Sequence, residues 1–513
     1  MAGFGADTAT TGSYNTAIGQ AAGKVLQGDA NSNTFVGFAA GDTITTGYDN
    51  IGIGRNTLGT ATTASYCIAI GNYAGDSISA ADTDANGSVF IGYNAGTAVT
   101  DGRYNTAVGY RALYTNQDGD KNTAIGWEAL YNYEAASGGE GNNTAVGYQA
   151  GYHNDTGETN TYIGSQAGFG ASGTNSGDGN TLVGHYAGNL IQGAGASNTI
   201  VGAYAGDEIT TGSDNVVVGT AAMSSADTNE SRCVAIGRSA LAAMDSDDGG
   251  TGSDGNMRTV AIGYNAGATL DTGYDNTIIG YNAGDGTDDG NFNTAVGTSA
   301  LGANCGNSNT AIGRQAGVIA TGNYNTFVGA LAGNTTAAAD SNICIGYNTE
   351  CEDATATKQF IIGVSLNGTA DEAVFIGDDG DHIRCDWGTD ATWDKVSDKR
   401  KKNVSGDSPL GLDFINDLNT VQFTFKAPSE YPKEWTSYDK DKTEPRNNEV
   451  QHGLLAQDVK QALDNANVDT FSGWSEDPDG CQRIGESAFV YPLMKAVQEL
   501  SAQVEELKNK LGE

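Results

Sequence analysis

The stretch whose residue types could do covalent chemistry is S-D-K-R-K-K at 397–402, a hydroxyl and a carboxylate followed by four cations. On composition alone it is a basic surface loop. A serine hydroxyl becomes a nucleophile only when a base takes its proton. A lysine amine is such a base only when neutral, a form favoured by burial or by neighbouring positive charge. Lys399, Arg400 and Lys401 supply that charge. Ser397 and Lys402 are five residues apart, which is neither one helix face nor one strand face. They could meet across a bend or with help from a neighbouring chain. His452, beside Gly453, reads first as a satisfied structural histidine and second as a residue near a reaction centre. The seven cysteines lack C-x-x-C spacing and read as reduced packing residues, and Cys481 in a Gly/Asp-rich loop reads as inert. Acidic turns such as D-G-T-D-D-G-N at 285–291 could hold Ca²⁺. They match neither the EF-hand spacing nor the Gly-Asp nonapeptide, so solvated turns, with no metal and no cofactor, are expected.

The elements around this stretch divide sharply. All six prolines lie at or after Pro409, and four of the five tryptophans lie at or after Trp387. Residues 1–383 carry a net charge of −29 and residues 384–513 one of −8, out of −37 for the chain. The shift places a domain boundary near 378–396. The expected division is a repeat array over 1–383, a linker over 384–396, and a C-terminal domain over 397–513. The strong acidity argues against nucleic acid and anionic membranes as partners. The opening M-A-G-F-G-A-D-T-A-T-T-G has neither a basic nor an apolar region, so it is not expected to be a signal peptide. No run of about 18 apolar residues predicts a membrane span.

The array repeats N-T-A-[IV]-G-x-x-A-G, as at 15–23, 143–151 and 309–317. Its central glycine recurs 19 times from Gly19 to Gly346, most often 17 residues apart, with degenerate copies at Gly363 and Gly377. The residue before it is always Ile or Val in the 19 copies, and Asn opens 15 of them. Such periodicity specifies a repeat architecture. T-A-I-G reads as a strand of about four residues with Ala17 on one face and Ile18 on the other. The glycine permits a sharp turn, and x-A-G reads as a second corner. One coil cannot bury its Ile, but stacked coils are expected to, with Asn15, Asn33 and Asn50 forming a ladder. Cys67 and Cys233 fall in the Asn column and Cys344 in the inward Ala column, as packing residues.

The last segment carries W-D-K-V-S-D-K-R-K-K-N-V (393–404), G-L-L-A-Q-D-V (453–459) and F-V-Y-P-L-M-K-A-V-Q-E-L (489–500). Leu493, Val497, Leu500, Val504, Leu507 and Leu511 alternate spacings of four and three, a heptad seam over 491–511. It covers under three heptads, which is marginal alone.

The repeat over about 13–350 resembles the β-roll repeats of trimeric adhesin heads and of viral tail fibres, where three chains pack around a common axis. The three C-terminal blocks, in order, resemble the intramolecular-chaperone auto-processing domain of phage tail spikes and fibres. The resemblance implies Ser397 as nucleophile, Lys402 as general base and Val396–Ser397 as the scissile bond. Asp398 and Arg400 then orient the site. The implied fold is mainly β: a trimeric parallel β-solenoid, followed by a small α+β chaperone domain ending in a coiled-coil helix.

The expectation is therefore a homotrimeric virion tail fibre or spike, assembled in the host cytoplasm. Its partners would be other tail proteins and a host-surface receptor, a glycan or an outer-surface protein. Its enzyme activity would be limited to cutting its own chain. A glycan-degrading tailspike needs paired carboxylates in a large module. The longest interval between repeat glycines, 26 residues from Gly237 to Gly263, is too short for one. A trimeric bacterial surface adhesin would be expected to show an export signal and a terminal barrel.

Overall fold

The computed structural model describes residues 12–78, 87–135, 139–171, 175–226, 230–244, 257–351, 356–379, 382–387, 393–395, 403–435, 437–445 and 447–512. The chain forms two compact units, Met1–Val396 and Ser397–Glu513.

The first unit is a β-solenoid. Each repeat contributes one short strand, beginning with Thr16–Ile18, Thr34–Val36 and Ile51–Ile53. The strands stack parallel and in register, so Thr16 meets Thr34, Ala17 meets Phe35 and Ile18 meets Val36. The ladder continues unbroken to Ala373–Asp378. A three-residue strand sends its middle side chain to one face and its outer two to the other. Here the middle column is interior: Phe35, Ala69, Phe90, Ala107, Tyr162, Leu182 and Phe327 are buried. The expectation that stacking buries the Ile/Val column is corrected. That column lies on the outer face, with Ile18 54% and Ile312 43% exposed. The interior accommodates large and small residues together, since Phe35 is followed in its column by Gly52. A Cβ at Gly41 would lie 2.6 Å from the Phe35 ring, so the aromatic residue occupies space that only glycine leaves free.

The repeat glycine has a steric cause beyond turning. Gly19 adopts φ +130°, and a Cβ there would overlap the carbonyl oxygen of Gly37 in the next coil. The second corner also exists, with Gly23 at φ +57°. The Asn column is buried and forms a ladder. Asn33 N–H donates to Asn15 Oδ1 (2.9 Å), Asn50 N–H to Asn33 Oδ1 (3.1 Å) and Cys67 N–H to Asn50 Oδ1 (2.9 Å). Most of these amides also tie to a turn of the following coil, as Asn50 Nδ2 does to the Ala64 carbonyl (2.7 Å). Where Asn is replaced, Ser88 Oγ accepts from Asn105 N–H (3.1 Å) and Thr259 Oγ1 from Asn276 N–H (3.3 Å). Cys67, Cys233 and Cys344 are fully buried. Burial pushes the Cys67 thiol up to about 11 and the Cys233 thiol up to about 12, so both stay protonated at neutral pH.

Residues 384–396, expected as a linker, contain strands of the solenoid sheet. His382–Asp386 pairs antiparallel with Ala373–Asp378, and Trp393–Lys395 pairs antiparallel with His382–Asp386. The parallel ladder therefore ends in an antiparallel cap, which covers its last hydrogen-bonding edge.

The second unit is small and mixed. It holds helix α1 (Leu412–Asn416), the antiparallel pair Thr420–Phe423 and Gln451–Leu454, and helix α2 (Ala456–Asn465). The hairpin Trp474–Glu476 with Gln482–Ile484 and helix α3 (Val490–Leu511) complete it. No helix among the described residues is long and apolar enough to cross a membrane.

Candidate functional site

The core of the second unit is thin. Leu410, Phe414, Val459, Ala462 and Leu463 are its buried members. Phe414, Phe471 and Phe489 close over them, with Phe471 and Phe489 5.2 Å apart edge to face. The first turns of α3 join this core through the buried Pro492 and Ala496. Glu499 on α3 accepts from the Leu412 N–H at 2.7 Å, which satisfies a free backbone donor at the start of α1.

Beyond that anchor α3 leaves its apolar seam open. Leu493, Val497, Leu500, Val504, Leu507 and Leu511 are all exposed. The seam begins at an open cleft of about 480 Å³ lined by Ile415, Leu418, Leu454, Ile484, Phe489 and Leu493, with His452 and Glu486 beside them. A core this small next to a seam this long suits a fold that completes itself against other chains. His452 pairs through its backbone with Gln422 and holds an exposed ring. It is therefore not a satisfied core histidine. It stands at the rim of the apolar cleft.

Ser397, Asp398, Arg400, Lys402 and Val396, the residues expected to make up the cleavage site, lie outside the described residues. The described chain frames them: the solenoid sheet closes at Lys395 and the second unit resumes at Asn403. Among the described residues no three His, Cys, Asp or Glu side chains gather as a metal site requires. The sequence reading missed the outward Ile/Val column, because Ile and Ala are both apolar and either face could have been the inner one. The missing signal was size: the middle column accepts Phe, Tyr and Leu, while the outer place before glycine admits only Ile and Val.

Residues 397–468 match the family described as chaperone of endosialidase. The match starts on Ser397 and spans the first two of the three C-terminal sequence blocks. No curated protein matches the chain. The matched family is a self-cleaving peptidase domain, and with the solenoid it supports a tailspike-like protein with a C-terminal intramolecular chaperone that processes its own chain.

Proposed function

We propose that this chain is a homotrimeric fibre or spike of a phage virion, used to attach to the host surface. In this reading its C-terminal unit drives trimer assembly and then releases itself by cutting between Val396 and Ser397. The observation that carries the reading is a coincidence of boundaries. The two compact units divide between residues 396 and 397, and the family match begins at 397. A cut there parts the units and leaves each whole, with the solenoid cap ending at Lys395.

Two apolar surfaces support trimerisation. The outward Ile/Val column runs along the parallel ladder with β-branched residues half exposed in coil after coil. The α3 seam adds a second at the far end of the chain. In-register repeats slip easily, because a shift by one coil presents a near-identical surface. A distinct C-terminal unit that gathers three chains first would set the register. Cutting it away afterwards removes the return path and makes the fibre kinetically stable.

The Ser397 Oγ attacks the Val396 carbonyl carbon while the neutral Lys402 amine takes the hydroxyl proton. The C–N bond to Ser397 breaks, the proton passes to the departing Ser397 amine, and Val396 is held as an ester on Oγ. Water hydrolyses that ester. Asp398 and Arg400 orient the pair, and Arg400 with Lys399 and Lys401 disfavours a charged Lys402. Proposed partners are other tail proteins and a host-surface receptor.

The test is expression of the full chain followed by N-terminal and mass analysis. It should yield 1–396 and 397–513, with Ser397 as the new N-terminus. Ser397→Ala should remain uncut yet trimeric. Lys402→Arg should also remain uncut, because a guanidinium does not give up its proton. Processing of Ser397→Ala at the same bond would show that another protease makes the cut.

A further inference from the structure

We propose that the coils from Tyr93 to Phe169 carry a carbohydrate-binding strip for a host-surface oligosaccharide, a proposal that rests on the attachment reading above. Two rows of aromatic side chains run side by side here. In the first row, at the place after the repeat glycine, Tyr93 stacks on Tyr110 (5.6 Å, 10° between planes) and Tyr110 on Trp127 (4.1 Å, 20°). In the second row, four residues further along each coil, Tyr114, Tyr131, Tyr152 and Phe169 stack at 4.9, 4.9 and 5.3 Å.

Between the rows lies a polar line. The Arg111 guanidinium sits over both Tyr110 (5.1 Å) and Tyr114 (5.3 Å). Its Nε is shielded from water and has no hydrogen-bond partner in the chain. Further along, Gln149 Nε2 donates to Glu128 Oε2 (3.0 Å) and Gln166 Nε2 to Gln149 Oε1 (3.1 Å). Guanidinium, amide and carboxylate thus offer both donors and acceptors within reach of the rings.

The repeat does not demand this arrangement. The second-row place holds Asp42 and Asp76 before the strip, and Asn189, Asp207 and Ser224 after it. Tyr264 and Tyr281 also stack in the first row at 5.4 Å, but beside Ala268 and Asp285. Both rows are aromatic together only around Tyr110–Tyr152.

A pyranose presents an apolar C–H face and a rim of hydroxyls, and it needs a ring face flanked by mixed hydrogen-bonding groups. Trp127 offers one. Its stacked side meets Tyr110, it is 49% exposed, and the next ring in the row, Tyr148, is 49% exposed as well. The chain's net charge of −37 disfavours nucleic acid and anionic lipid here. A second copy of the chain would be met by a surface repeating along the array, as the Ile/Val column does, and the strip does not repeat.

The experiment titrates the full chain with oligosaccharides released from bacterial lipopolysaccharide and capsule, read on a printed array and by tryptophan fluorescence. At least one should bind saturably. Trp127→Ala and Arg111→Ala should each weaken it about tenfold, equivalent to about 1.4 kcal/mol, while Trp127→Phe, which keeps a ring, retains most of the affinity. Tyr281→Ala, an exposed ring outside the strip, should leave binding unchanged. Circular dichroism of each variant confirms that the solenoid persists. Binding of no oligosaccharide, or binding undiminished in both Trp127→Ala and Arg111→Ala, overturns the strip. Adherence of the intact protein to host cells, with and without enzymatic removal of surface polysaccharide, separates the two readings. Equal adherence to both removes the strip and keeps attachment; adherence to neither removes attachment.

Discussion

Replacing Asn309 by Ala should loosen the solenoid locally and strongly, because a single buried amide joins three consecutive coils. Asn309 Nδ2 donates to Asn293 Oδ1 (3.2 Å) in the coil before and to the Gly322 carbonyl (2.9 Å) after. Its Oδ1 accepts from both the backbone N–H (3.0 Å) and Nδ2 (3.1 Å) of Asn325. Truncation strands the Asn325 N–H and the Gly322 carbonyl in a fully buried column. The Asn325 side chain keeps the Ala339 carbonyl (2.7 Å). Two buried orphans at about 1–3 kcal/mol each give about 2–6 kcal/mol. Water entering the space vacated by the amide relieves part of this, so about 3 kcal/mol is expected. A solenoid transmits such a loss mainly to neighbouring coils. The suitable assay is therefore hydrogen exchange by mass spectrometry over residues 309–328, not a global melt. At 1.4 kcal/mol per tenfold, protection of the Asn325 amide should fall roughly a hundredfold. Asn304→Ala is the control: its exposed Oδ1 accepts one bond, from the Asp288 N–H (3.0 Å). If Asn309→Ala loses no more protection than Asn304→Ala, the ladder is not what ties the coils together.

Two further outcomes follow from burial and exposure. Burial raises the Asp207 carboxyl to about 6, with Glu208 adding to the effect, and its Oδ1 has no hydrogen-bond partner in the chain. A folded pKa above the unfolded value means the folded state holds the extra proton, so stability falls as pH rises from about 4 to about 6. Asp207→Asn should flatten that window in denaturant titrations and add about 1 kcal/mol at pH 7, the shift being discounted for solvent screening of a half-exposed group; an unchanged pH profile would show that Asp207 is not the titrating group. On α3, Leu500→Asp with Val504→Asp should abolish trimers of the full chain in sedimentation while leaving a monomeric second unit folded, because neither side chain belongs to that unit's core. Trimers that persist in this double variant would exclude the seam as the assembly surface.

Much of the molecule was legible from its residues. The repeat glycine, the Asn column and the two corners have local causes: a left-handed φ, an amide able to bridge coils, and a turn. Each therefore leaves a mark at a fixed position in most repeats. The heptad spacing of Leu493 to Leu511 predicts a coiled-coil seam, and the structure places those residues on one helix with their side chains exposed. The composition boundary announced two units, although it assigned residues 384–396 to a linker, because two short antiparallel strands on an existing sheet need no periodic pattern of their own. The roles assigned to Ser397 and Lys402 are a proposal that rests on sequence resemblance alone; the family match covers the segment they lie in, residues 397–468.

Two features needed the tertiary structure to settle them. The first is which face of T-A-I turns inward. Ala and Ile are both apolar, so their alternation carries no sign, and the range of sizes in the middle column is the one mark of it in the sequence; closing the coil puts the middle residue inside and turns Ile18 and its equivalents outward. The second is the pairing of the aromatic rows. Tyr114, Tyr131, Tyr152 and Phe169 lie 17 or 21 residues apart in the chain, at intervals that vary with each turn. Only in-register stacking, which keeps the strands aligned across intervals of unequal length, brings those rings to about 5 Å from one another.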